Sequence, residues 1–375
     1  MQFRTHAALA EIPAATWDRM HDGRNPFLAH AFVDGLERHG CLRADRGWTP
    51  LHAALWEGDE LLAAAPGYIK GNSHGEFVFD HAWAAALERA GRDYYPKWLF
   101  AIPYTPATGP RWLAADAAHR RALIAGILET ARRLRLFSVH ANFLEAADDA
   151  LTPDWLARSD VHFHWHNDAG WRSFDEFLAA LHPKKRKNIL RERRQVRAAG
   201  IELRVLHGDQ ARAQDIADMH ALYLHTFAGK GNLATLTLAF FEHLAQAMPR
   251  ALLLVLAQRD GQTLAGALFL RGTDTLYGRY WGSFEDIPGL HFETCYYQGI
   301  EYCLREGLRH FDPGAQGEHK LARGFLPTLT RSRHHFIEPG LDAAFDRWCA
   351  DERAANERYR RAVLAHSPYR NQAIP

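Results

Sequence analysis

Residues 314–325 read Gly-Ala-Gln-Gly-Glu-His-Lys-Leu-Ala-Arg-Gly-Phe, which places Glu318, His319, Lys320 and Arg323 in one glycine-bounded segment. Glycine lets a backbone take positive φ or approach a ligand closely. A carboxylate or imidazole in such a segment can move a proton. Lys320 and Arg323, three apart, can hold a phosphate or carboxylate, the first as a point charge and the second as a bidentate fork. Upstream lie two polar-aromatic runs, Gly278-Arg279-Tyr280-Trp281-Gly282 and His291-Phe292-Glu293-Thr294-Cys295-Tyr296-Tyr297. The candidate bases are therefore His291, Glu293, Glu318 and His319. The candidate substrate- or phosphate-binding residues are Lys320, Arg323, Arg279, Tyr280, Trp281 and Gln316. Glu293 also opens a predicted helix, where an acid is favourable for the helix dipole alone.

Two further constellations carry chemistry. Lys184, Lys187, Arg191 and Arg194 recur at spacings of three and four, so a helix would gather them on one face, with Ile189 and Val196 turned inward. That face suits the phosphates of a nucleotide, a diphosphate or an RNA backbone. In the first half, small residues from Gly71 to Gly75 lead into Phe79-Asp80-His81, which reads as a substrate-contacting loop or as a buried structural pair. His162, His164 and His166 alternate with Phe163 and Trp165, the pattern of a strand with aromatics toward a core and imidazoles toward solvent or a groove, in preference to a metal comb. No metal site is expected.

The elements that must position these residues come in two similar series. The first half reads as helices over 14–20 and 27–39, strands over 51–57 and 61–70 around Gly58-Asp59, helices over 84–91 and 117–134, and a strand over 138–143. The second reads as a helix opening at Ser173 with a capping box, a helix over 183–199 closed by Gly200, and a strand over 201–206. Helices over 211–226 and 237–248 follow, then strands over 250–258 and 264–270 around Asp260-Gly261, a strand over 275–281, a helix over 293–306 and a strand over 309–312. This is mixed α/β text on a largely antiparallel sheet, and the parallel between halves suggests a duplication. The expected division is 1–155, 156–340 and a C-terminal helix and tail over 341–375, with a linker near 148–160.

A chain of 375 residues is long for one compact domain. With 45 Lys and Arg against 44 Asp and Glu, the net charge of +1 excludes a globally basic surface, so any nucleic-acid attraction must be local. Four scattered cysteines and no apolar leader suit a reducing, cytoplasmic setting and no integral membrane segment. There is no G-x-x-x-x-G-K-[ST], no convincing G-x-G-x-x-G, no H-E-x-x-H and no G-x-S-x-G, which removes the main support for kinase, Rossmann, zincin and serine-hydrolase readings.

Together these segments resemble the FemAB-like peptidoglycan biosynthesis/recognition proteins of the GNAT-like N-acyltransferase superfamily. The resemblance rests on Gly40-Cys41, Gly47-Trp48-Thr49-Pro50, Phe79-Asp80-His81-Ala82-Trp83, Tyr95-Pro96-Lys97, Phe163-His164-Trp165 and Lys185-Arg186-Lys187-Asn188-Ile189. It rests further on Gly278-Arg279-Tyr280-Trp281-Gly282, the run from His291 to Tyr297, and Gly314-Ala315-Gln316-Gly317-Glu318-His319-Lys320, so it spans nearly the whole chain. It implies two tandem GNAT-like (acyl-CoA N-acyltransferase) domains, each a mixed, largely antiparallel sheet flanked by helices. It also implies transfer of an acyl or aminoacyl group to an amine, with a peptidoglycan precursor or related metabolite as acceptor and no tightly bound cofactor. More distant Fem-type enzymes share the basic helix before a strand and a late Lys-containing segment ending in Gly-Phe, and take an amino acid from aminoacyl-tRNA. The helix 184–197 fits tRNA. An ordinary GNAT carries a [QR]-x-x-G-x-[GA] pyrophosphate loop; here 280–291 occupies about that place without it, so the donor stays open between aminoacyl-tRNA and acyl-CoA. A non-catalytic protein that recognises cell-wall precursor or RNA is the alternative, and the oligomeric state stays open.

Overall fold

The computed structural model describes residues 1–315 and 317–370. Gln316, one of the candidate binding residues, lies outside them. The strands in chain order are β1 Gln2–His6, β2 Trp48–Pro50, β3 His52–Glu57, β4 Glu60–Ala65, β5 Gly67–Lys70, β6 Lys97–Phe100, β7 Leu113–Ala114 and β8 Ser138–Asn142. They continue with β9 Leu156–His166, β10 Glu202–His207, β11 Leu252–Arg259, β12 Gln262–Arg271, β13 Thr275–Ser283, β14 His310–Asp312 and β15 Leu326–Phe336. The chain forms two compact units. One comprises 1–23, 27–161 and 329–359, and the other 24–26, 162–328 and 360–375.

In the first unit, β1, β3, β4 and β7 form one antiparallel sheet, and β15, β8, β6, β5 and β2 lie side by side in that order. Only β6 and β8 pair parallel there. The core gathers Trp98, Phe100, Trp112, Ile127 and Val139, all buried. The helix Ala117–Arg133 packs on β3 and β4 and is capped by Asp116, whose carboxylate accepts the His119 N–H at 2.9 Å. The expected strand 61–70 is broken at Pro66 into β4 and β5, because proline has no N–H to give a ladder. An opening strand, β1, precedes the first helix, and the expected helix 84–91 starts earlier, as His81–Arg89.

In the second unit the order is β10, β11, β12, β13, β14 and β9, antiparallel except for β13 with β14. Asp260 and Gly261, at φ 52° and 78°, make the tight turn between β11 and β12. Phe163 and Trp165 enter the core with Phe177, Val255, Phe269, Ile300, Phe311 and Phe325. The helix Pro183–Ala198 begins with proline at its first turn and ends before Gly200 at φ 70°. The expected helix 293–306 is not uniform. A short turn Leu290–Phe292 runs into a π-helical turn Glu293–Tyr297 and then the α-helix Gln298–Glu306. Among the described residues no helix is long and apolar enough to cross a membrane.

Candidate functional site

The segment after β14 is the part of the second unit where mobile protons and cations converge. β14 ends at Asp312, and the chain passes Pro313 and Gly314 before the 3-10 turn Glu318–Arg323. Two glycines are required here. A Cβ on Gly278 of β13 would stand 3.2 Å from the Pro313 Cα, and one on Gly317, at φ 107°, would stand 2.5 Å from the His319 ring. Asp312 turns the loop by accepting the Gly314 N–H at 2.9 Å.

Lys320 lies beneath this loop, 2% exposed, and its Nζ donates to the carbonyls of Gly314 at 2.5 Å and Ala315 at 3.4 Å. Burial lowers its pKa to about 8, against the opposing pull of Asp312 and Cys295. Two of its three N–H groups are thus committed to the loop, and the third has no protein acceptor among the described residues. Burial opposes ionisation of Asp312, but His164, His162, the Gly314 amide and Lys320 hold it below the usual carboxylate range. His164 Nε2 lies 3.5 Å from Asp312, and His166 and His310 face each other through Nδ1 at 2.9 Å. The three alternating imidazoles thus lie away from the core aromatics, and of the two expected settings, solvent or a groove, their low exposure leaves out open solvent. Burial keeps His162 and His166 neutral, at about 4. Among the described residues no group of three or more His, Cys, Asp or Glu is arranged to hold a metal ion.

His319 is exposed, next in sequence to Lys320, and its Nε2 lies 2.9 Å from the Tyr296 hydroxyl. Burial, then Arg323 and Lys320, lowers its pKa, so it is a neutral imidazole at neutral pH. The His291 ring centre is 5.9 Å away, and burial followed by His319 and the nearby cations brings His291 to about 4. Trp281 packs on His291 at 5.2 Å, which makes it one wall of this group. Arg279 and Tyr280 precede it on β13, Tyr280 edge-on to Tyr223 and Arg279 over the Tyr280 ring.

The structure brings together His291, His319, Lys320 and Trp281, while Glu318 is exposed at the start of the same turn. Arg323 is held otherwise: it donates to the Tyr297 hydroxyl at 3.1 Å, the His319 carbonyl at 2.8 Å and Glu192 at 2.8 Å, and lies over Phe292. Glu293 is 3% exposed and engages Arg193 and the Gln298 amide. Lys184, Lys187 and Arg191 are exposed on the helix Pro183–Ala198, with no ion pair among the described residues, whereas Arg193 on the same helix turns in to Glu293 and Glu301. Asp80 and His81 belong to the first unit. Asp80 is buried against Lys97 at 2.5 Å and Tyr94 at 2.5 Å, while His81 is exposed at the start of its helix. Tyr296 and Asp312 were not singled out from sequence. The signal for Asp312 was available in Asp-Pro-Gly at a strand end, which marks a carboxylate-closed turn.

Compared with solved structures, the chain resembles FemX with a TM-score of 0.53 and 12% identity, over 92% of this chain and 100% of that one. The C-terminal domain of a putative lysylphosphatidylglycerol synthetase from Agrobacterium fabrum gives 0.52 at 12% identity, over 92% and 97%. L-PGS from Bacillus licheniformis gives 0.50 at 10%, over 90% and 96%. At these identities the likeness is one of fold, and the described residues form the expected mixed α/β arrangement on largely antiparallel sheets in two units. A search among curated proteins finds no match. The model of FemAB-like proteins, described as peptidoglycan biosynthesis/recognition, matches residues 8–371.

Proposed function

The chain belongs to the FemAB-like family, and from that premise we propose that it is an N-acyltransferase. It moves an acyl or aminoacyl group onto the amine of a small acceptor, a peptidoglycan precursor or related metabolite. The observation that carries this reading is the adjacency in sequence of a neutral, exposed imidazole, His319, to a buried ammonium, Lys320, whose third N–H has no acceptor among the described residues.

Acyl transfer to an amine needs both. As the amine nitrogen attacks the donor carbonyl carbon, a C–N bond forms and negative charge develops on the carbonyl oxygen. The free N–H of Lys320 meets that oxygen, in a setting where burial strengthens the interaction. His319 takes the proton shed by the attacking nitrogen and returns it to the leaving oxygen or sulfur as the bond to the donor breaks. Tyr296, fixed on the π turn, orients the imidazole. His291 and Trp281 form the wall beside it. The unpaired cations Lys184, Lys187, Arg191 and Arg194 favour aminoacyl-tRNA over acyl-CoA as donor, because a run of exposed charges on one helix face matches a phosphate backbone better than one diphosphate.

The test is a panel of aminoacyl-tRNA and acyl-CoA donors with amine acceptors, products being read by mass spectrometry. H319Q, which alters an exposed ring, should lose turnover while melting as the wild type does, and K320A should lose turnover although its melt falls with the two loop bonds it gives up. Near-wild-type turnover in both variants sinks the assignment. Binding of precursor or tRNA without turnover of any donor would favour the recognition protein instead.

A further inference from the structure

We propose that the first unit carries a nucleophile of its own, Ser332, which takes a short acyl group from a thioester or aryl ester and releases it to water. Ser332 lines a cavity of about 240 Å³ together with Phe77, Phe79, Phe143, Arg158 and Glu352. Every lining residue belongs to the first unit, so the site stands apart from the chemistry assigned to Lys320 and His319.

One face of the sheet supplies the parts. Alternation along β15 puts Ser332 and His334 on the same side, and the register sets Asn142 opposite Ser332 and His140 opposite His334. Trp83 packs on His334 at 5.3 Å and under the Arg158 guanidinium at 5.0 Å, so Arg158, on the neighbouring strand β9, shares that face.

Ser332 Oγ lies 2.9 Å from His334 Nε2, and His334 Nδ1 lies 2.9 Å from His140 Nδ1. When His334 donates across the pair, its Nε2 accepts the Ser332 O–H. The donating ring is also the one that can take a second proton without breaking the pair. Nucleophile, base and the positioning residue for the base therefore follow one another in hydrogen-bond order.

The strands on either side of Ser332 each hold a donor that lacks an acceptor. Arg158 gives Nε and Nη2 to Glu352 at 2.8 and 2.7 Å, and its Nη1 is buried with no partner among the described residues. Both amide atoms of Asn142, on β8, are buried and unpartnered as well. Oxygen that gains negative charge at this place would meet donors already in position.

The remaining walls are apolar. Phe77 and Phe143 have φ of 60° and 57°, a left-handed conformation that bulky residues avoid and that persists where the surroundings enforce it, often at ligand clamps. The volume lies just under the ~300–1,000 Å³ of ordinary small-molecule pockets, which suits a short acyl chain and excludes a long one.

As Ser332 Oγ bonds to the acyl carbon, its proton passes to His334 Nε2 and the carbonyl oxygen becomes anionic beside Arg158 Nη1. The bond to sulfur or aryl oxygen then breaks, and the thiol or phenol leaves with the proton from His334. Water repeats both steps on the acyl-serine, which frees a carboxylic acid and restores Ser332. Burial, then His140 and Arg158, makes His334 a weak base, so leaving groups of low basicity suit this centre and amides do not.

The test treats the intact chain with p-nitrophenyl acetate and, separately, with S-acetyl-N-acetylcysteamine, follows release of the phenol or thiol, and maps acetylated peptides by mass spectrometry. A burst of product with one acetyl group on Ser332 is expected, followed by slower turnover. S332A should lose the burst and the label, and H334Q should slow both by about 10²–10⁴-fold. Should S332A fail to fold, S332C, of similar size, should carry the acetyl group on sulfur. R158K, which keeps an ammonium for Glu352, should slow acylation about 10²–10³-fold. No acetyl group at position 332 with either probe overturns the proposal. So does label confined to Lys320 or other lysines, or a burst undiminished in H334Q. The probes contain neither a tRNA nor an amine acceptor, so failure here is distinguishable from failure of the transfer reaction.

Discussion

The Nδ1 atoms of His140 and His334 face each other at 2.9 Å across directly paired positions of β8 and β15. One must donate and the other accept, so the accepting ring cannot take a second proton, and the two rings cannot both be doubly protonated, without losing the bond. Each outer Nε2 is 2.9 Å from a serine hydroxyl, Ser138 on one side and Ser332 on the other. The four groups therefore form one chain whose proton order reverses as a unit.

Stability should fall as pH falls below about 6.5, the ordinary histidine value. Burial holds both His140 and His334 well below that value, with Lys97 and Arg158 adding to it for His140 and His140 and Arg158 for His334. The unfolded chain thus binds protons that the folded one refuses, a loss of about 1.4 kcal/mol per pH unit for each ring. Denaturant melts from pH 7 to 5 should show this slope, and H334Q should make it shallower.

Lys97→Ala should cost about 3–5 kcal/mol, the penalty for stranding buried charge. Lys97 is fully buried and bonds Glu76 at 2.8 Å and Asp80 at 2.5 Å. Burial alone would raise the Asp80 pKa, yet the Lys97 ammonium and the Ser73 and Tyr94 hydroxyls bring it to about 2. A loss of unfolding free energy in urea smaller than about 1 kcal/mol would show that the cluster is not held by this ammonium.

Glu76 and Lys70 carry opposite pH signatures. Burial raises Glu76 and lowers Lys70, each to about 7 despite their mutual attraction. A raised carboxyl stabilises below its unfolded value and loses that contribution as pH rises toward 7. A depressed lysine stabilises at high pH and loses its contribution as pH falls from about 10 toward 7. E76Q should therefore change the slope of the stability curve on the acid side of pH 7, and K70M on the alkaline side.

The rate profile should be bell-shaped. The acid limb reports protonation of His319 below about 6.5, and the alkaline limb deprotonation of Lys320 near 8. K320A should lower kcat/KM by about 10²–10³ and remove the alkaline limb from the residual rate.

K187A/R191A should leave stability within about 0.5 kcal/mol. It should reduce the salt slope of tRNA binding by about 2, one unit per lost phosphate contact. An unchanged slope in filter binding would place tRNA elsewhere.

Much of the second unit was legible because its signals are local. The Asp260-Gly261 turn, the Pro183 start and the Ser173 cap all act within four residues. Ser173 Oγ accepts the Glu176 N–H as a capping box requires, although the Glu176 carboxylate reaches back to the Arg172 amide. The lysine cluster was not legible. Lys70 and Lys97 are separated by 26 intervening residues and become neighbours only through the β5–β6 register, which sets them directly opposite one another. Two like charges on one rung are unfavourable without the acids that separate them. Likewise, Glu293 and Arg323 have the chemistry of a site in sequence. Their partners Arg193 and Glu192 come from a helix about a hundred residues away, and only the fold shows that these ion pairs use them.

The π turn at Glu293–Tyr297 is the length of one surplus residue wound into a helix. Each residue of a helix turns the next by about 100°, so removing that surplus would rotate everything before it relative to the helix Gln298–Glu306. Tyr296 now reaches His319 while its neighbour Tyr297 reaches Glu192 and Arg323. A one-residue deletion here would regularise the helix, improve its hydrogen bonding, and disconnect both tyrosines from their partners at once. This segment should therefore tolerate substitution far better than any change in its length.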